Sequence, residues 1–121
     1  MIGMKRIAAI ARRAAEIVQS KGKATGSFQD ASGRVCTLGA IRVALAEQGL
    51  GYQLDETGML SAPALSIGSR TNAGYAERII SKQLEAQLGG HTVTSWSDKP
   101  TTTVEDIAKQ LGQAADTLEV T

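Results

Sequence analysis

Cys36 and His91 are the only cysteine and the only histidine in the 121 residues. Together they are the natural candidates for covalent chemistry. A cysteine in the first turn of a helix sits at the positive end of the macrodipole, which lowers a thiol pKa. A histidine brought beside it would act as base, with Asp98 or Asn72 orienting the ring, as in a Cys-His hydrolase or acyl transferase. No local signature of a cysteine protease surrounds Cys36, and a free cysteine more commonly behaves as a small buried hydrophobe. One cysteine with one histidine cannot make a zinc site, and no acids pair at metal spacing. The glycine-containing stretch GSFQDASGRV lacks the Gly-Lys-Ser/Thr ending of a phosphate-binding loop and the spacing of a dinucleotide fingerprint. No catalytic residue, cofactor or metal is therefore assigned.

Charge offers a second kind of chemistry. The net charge is +1, with 13 basic and 12 acidic residues. Residues 1–42 hold eight Lys and Arg against two acids, and the remainder holds five against ten. Lys5, Arg6, Arg12 and Arg13 stand seven apart in pairs, so a helix would carry all four on one exposed face. That stripe is the first candidate for a partner-binding surface. The alternative is that the basic and acidic halves face each other within the fold. Nucleic-acid binding through the stripe, with Lys21, Lys23 and Arg34, is weighed against a pI near 7.9 and only 3% aromatic residues. Trp96 is the second candidate surface, because an exposed indole anchors interfaces. The favoured alternative buries Trp96 between helices, with Asp98 closing its loop through backbone N–H groups.

The elements that must position these residues read as follows. Met4 to about Ser20 is a helix, because Ile7, Ile10, Ala11, Ala14, Ile17 and Val18 recur at helical steps, and Gly22 stops it. Residues 22–33 form a turn-rich loop whose one large apolar residue, Phe28, is expected to pin it to the core. Arg34 to Gly49 is apolar nearly all round and reads as a central buried helix, with Gly39 admitting another helix at close range. Residues 50–72 form a long irregular middle loop with at least one short element: a hairpin or simple turn around Glu56-Thr57-Gly58, and a helical turn starting at Pro63. Ala73 to Leu88 is a third helix capped by Thr71 or Asn72 and ended by Gly89-Gly90. HTVTSW reads as extended, from its β-branched residues. The last helix begins with a capping box, Thr102 with Glu105 or Thr103 with Asp106, and continues through Leu118.

Two blocks, DASGRVCTLGAIRVAL at 30–45 and SWSDKPTTTVEDIAKQLGQAA at 95–115, resemble a family of small proteins of unknown function from actinobacteria and their phages. Cys36, Gly39 and Ala40 match its Cys-x-x-Gly-Ala run, and Trp96 and Asp98 match its Trp-Asn-Asp. Ser97 stands where that family has Asn, and Gly22-Lys23 where it has Gly-Trp. The resemblance implies a mostly helical fold and an actinobacterial or phage origin; it implies no activity, cofactor or catalytic residue.

These observations predict a mainly α protein, a single domain over 1–121 with about four helices. No stretch approaches the ~20 apolar residues of a membrane span, and Arg12 and Arg13 interrupt what would otherwise resemble a leader. A single cysteine gives no disulfide framework. The expected function is that of a small non-catalytic interaction protein binding a protein partner in the bacterial cytoplasm, through Lys5, Arg6, Arg12, Arg13 and Trp96. A nucleic-acid-binding regulator and a Cys-His enzyme are the alternatives. A homodimer is also open, since small helical domains can complete their cores by pairing.

Overall fold

The computed structural model describes residues 2–61 and 71–121. The helical turn expected at Pro63 lies outside the described residues. In chain order the elements are α1 (Met4–Lys21), α2 (Thr37–Glu47), β1 (Gln53–Leu54), β2 (Leu60–Ser61), α3 (Asn72–Gln87), α4 (Val93–Ser97) and α5 (Val104–Glu119). The fold is mainly α, as the patterning predicts, with five helices rather than about four among the described residues.

Helix α1 is central, packing along α5, α2 and α3. Its stripe is the predicted one: Ile7, Ile10, Ala11, Ala14, Ile17 and Val18 are all buried. Ala11 and Ala14 keep the buried face of α1 narrow, and α5 brings its own buried face of Ile107, Leu111, Ala114, Ala115 and Leu118 against α1. Gly22 ends α1 at a φ of +87°, its N–H donating to the Val18 carbonyl. Helix α5 starts at a reciprocal capping box of Thr103 and Asp106, the second of the two registers. Thr71 caps α3. At the start of the chain, the Ile2 N–H donates to Asn72 at 3.3 Å, tying it to α3.

Three expectations are corrected. The central helix begins at Thr37, not Arg34, because Val35 is drawn into β-bridges with Lys23 and Gln29. The closest neighbour of Gly39 is the 22–36 loop rather than a second helix: a Cβ there would overlap the carbonyl oxygen of Phe28. HTVTSW is extended only up to Thr92, and Val93–Ser97 is helical. The Thr92 hydroxyl accepts from the Ser95 N–H, and the single turn of α4 buries Val93 and Ser97. Burial of these two side chains outweighs the local preference of the β-branched residues.

Between α2 and α3, β1 and β2 form the hairpin alternative, pairing Gln53 with Ser61 and Leu54 with Leu60. One core cluster joins residues from all five helices. Among the described residues no helix is long and apolar enough to cross a membrane.

Candidate functional site

The loop from Gly22 to Cys36 and the turn around α4 form one polar junction. The loop's stem closes on itself: Ala24 N–H donates to Val35 O, and Val35 N–H to Gly22 O. From α4, the buried Ser97 hydroxyl accepts from the Thr37 N–H at 3.2 Å and the Thr37 hydroxyl at 2.9 Å. Asp98 accepts the Gly26 N–H at 3.1 Å, so it ties down the 22–36 loop rather than closing the Trp96 loop as expected. In return, Lys23 Nζ reaches the Lys99 and Thr102 carbonyls at 2.6 and 2.7 Å. The two sequence blocks at 30–45 and 95–115 thus meet in space.

Two D-x-(Ser/Thr)-G turns stiffen the same end. Asp30 accepts from the Ser32 N–H and hydroxyl and from the Arg34 N–H. Asp55 does the same with the Thr57 N–H and hydroxyl and the Met59 N–H. Gly33 and Gly58 take φ of +90° and +83°, the conformation each turn demands. The side chain of Gln29 joins the turns, accepting from Leu60 N–H at 2.7 Å and donating to Gly33 O. The Thr57 hydrogen bond leads those that hold the Asp55 carboxyl below its ordinary range. At Asp30 desolvation pushes upward, but the hydrogen bonds from Ser32 and Arg34 prevail and the carboxyl is also lowered.

Phe28 is not buried as expected. Its backbone is fixed, since its carbonyl accepts the Cys36 N–H and lies against Gly39. Its side chain remains 43% exposed. The ring stacks on the Arg42 guanidinium, 3.9 Å from carbon to centroid, and Tyr52 lies within 5.2 Å of that carbon. Arg42 Nε donates to Glu77 at 2.6 Å, and the Tyr52 hydroxyl donates to the second oxygen of Glu77 at 3.1 Å. Burial, followed by the nearby Glu77 charge, pushes the Tyr52 phenol up to about 12. Sequence reasoning counted Arg42 only as charge and did not select Tyr52 or Glu77. The available signal was Arg42 itself, a charge in the middle of an otherwise apolar helix.

The residues selected from the sequence fall into different places. Arg12 donates to both oxygens of Glu119 and to Asp116, at 2.9–3.0 Å. Arg13 reaches back across α1 to Glu47 at 2.8 and 2.9 Å, and Arg6 donates to Gln48. The stripe therefore splits, Arg12 pairing with the end of α5 and Arg6 and Arg13 with the end of α2. The two oppositely charged halves of the chain do face each other here. Arg13 lowers Glu47's pKa, and Arg12 lowers that of Glu119. Lys5 is exposed. Trp96 is half-buried against the core, and its carbonyl accepts from the Thr102 hydroxyl.

Cys36 is the N-cap of α2, its sulfur accepting from the Gly39 N–H at 3.3 Å. Burial pushes its thiol up, and this outweighs the lowering by backbone N–H groups at the helix start. The expected thiolate activation by the helix end is thus reversed. His91 is exposed on the turn before α4, and no hydrogen bond joins it to Cys36. Among the described residues no group of three His, Cys, Asp or Glu is placed to hold a metal ion.

The protein is mainly helical, and the polar groups at this end fix the 22–36 loop against α4. Over residues 4–117 the chain matches the family described as a family of unknown function (DUF6197), and it belongs to that family. No curated protein and no solved structure matches it.

Proposed function

We propose that this chain is a non-catalytic interaction module that binds a protein partner in the bacterial cytoplasm. The observation that carries the proposal is the presentation of Phe28. A large apolar ring stays exposed on a loop whose backbone is held by hydrogen bonds from α2 and α4. Fixing that loop in the free protein removes ordering cost from the binding step. An aromatic ring stacked on an arginine also has the composition of an interface anchor. Trp96, at the same junction, extends the proposed surface.

The basic stripe takes a secondary place in this reading. A partner of Arg12 or Arg13 has to compete with Glu119, Asp116 and Glu47. That competition also weakens the nucleic-acid alternative, which needs free cations to neutralise phosphates. An actinobacterial or phage origin rests on the resemblance of residues 30–45 and 95–115, and is part of the proposal.

The test is affinity capture by the full chain from actinobacterial lysate, with and without nuclease, beside Phe28→Ala. A stoichiometric protein that survives nuclease and is lost with Phe28→Ala, while the variant keeps its helical circular dichroism, is the expected result. Material released by nuclease would transfer the function to nucleic acid.

A further inference from the structure

Arg42 is an arginine with one of its five N–H donors engaged and the other four unused among the described residues. Its Nε is committed to Glu77, yet among the described residues neither Nη group has a hydrogen-bond partner. Among the described residues no buried side-chain nitrogen or oxygen lacks a partner, so these Nη groups reach solvent. The rest of the side chain is not free to wander. Its exposure is 23%, one face of the guanidinium is stacked on Phe28, and Glu77, oriented by Tyr52, fixes the fork.

From this geometry we infer that Arg42 and Phe28 form a two-part receptor for an acidic side chain beside an apolar one on the protein partner. The inference rests on the protein-binding reading above and names the chemistry of its partner. The Nη pair supplies a planar fork matched to a carboxylate, and the exposed Phe28 ring takes the apolar neighbour. Glu77 does not exclude a second acid. Arg12 in the same fold already holds two carboxylates, Asp116 and Glu119, on one guanidinium. Arg42 holds one, and is less exposed than Arg12, so a second carboxylate meets less competition from water there.

The experiment is selection of the full-length protein against a bead-displayed library of random, unphosphorylated peptides. The expected enrichment is Asp or Glu next to Leu, Ile or Phe. Arg42→Lys, which keeps the charge but loses the fork, should bind the selected peptides about tenfold or more weakly. Should Arg42→Lys fail to fold, the wild type still gives the answer through nuclear magnetic resonance, because bound peptide must shift the Arg42 guanidinium signals. Selected peptides without acidic preference, or unmoved Arg42 signals, overturn the receptor while leaving protein binding intact. Failure to enrich any peptide overturns both. Displacement of selected peptides by inorganic phosphate more readily than by acetate assigns the fork to phosphate groups and also overturns the inference.

Discussion

The flank where α1 meets α5 and the end where the 22–36 loop meets α4 are held together by different means. Along the flank, small and branched apolar residues interlock over the length of both helices, and the ion pairs of Arg12 sit outside that seam. At the loop end Ser97, Thr37, Asp98 and Lys23 supply the joints. The difference teaches where polar groups carry structural weight. An exposed ion pair competes with water and is worth little, whereas a buried donor deprived of its acceptor loses its solvation with no return.

The largest effect is expected at the loop end. Gly39→Ala should cost about 3 kcal/mol or more, because the new methyl group displaces the Phe28 carbonyl, which is backbone and cannot swing aside. Denaturant titration measures it, and a near-neutral result would refute the close approach. On the flank, Leu111→Ala should cost about 3 kcal/mol through the cavity left between α5 and α1. Smaller, but larger than any surface pair, is Ser97→Ala. It strands the buried Thr37 N–H and hydroxyl and should cost about 1–3 kcal/mol by the same titration. If Ser97→Ala is silent, the contrast between the two regions collapses.

Tyr52 sharpens the account through pH. Its folded-state phenol is raised to about 12 from an ordinary 10. The stability it contributes is complete below the unfolded value and is lost as pH rises from about 10 towards 12. Ultraviolet absorbance of the wild type against Tyr52→Phe should isolate this late ionisation, and ionisation near 10 would contradict the packing around Glu77. The smallest effect is expected from Arg12→Ala, whose side chain is 40% exposed. Its thermal midpoint should stay close to wild type and converge with it further at high salt.

How far these regions can be read from sequence follows the same division. The seam was legible because Ile7 to Val18 and Val104 to Leu118 keep one helical period over several turns, and because Thr103 and Asp106 announce the start of α5. The hairpin was legible as one of two alternatives in Glu56-Thr57-Gly58. The loop end was not, because its determinants are distant in sequence. Thr37 and Ser97 are 60 residues apart, Gly26 and Asp98 are 72 apart, and no local pattern joins them. Nor can periodicity say that Gly39 faces a carbonyl, that Phe28 stays outside the core, or that Arg12 meets Glu119. The stretches 30–45 and 95–115 hold residues of both halves of the junction, but nothing in either reveals that they touch.

The central claim is that this junction holds the Phe28 loop fixed in the free protein. Amide hydrogen exchange on the full chain tests it most directly. The account predicts that the N–H groups of Gly26, Cys36 and Thr37 exchange far more slowly than an open loop. It also predicts that Ser97→Ala accelerates all three while leaving α1 and α5 protected. Exchange of these amides at open-loop rates in the wild type would contradict it.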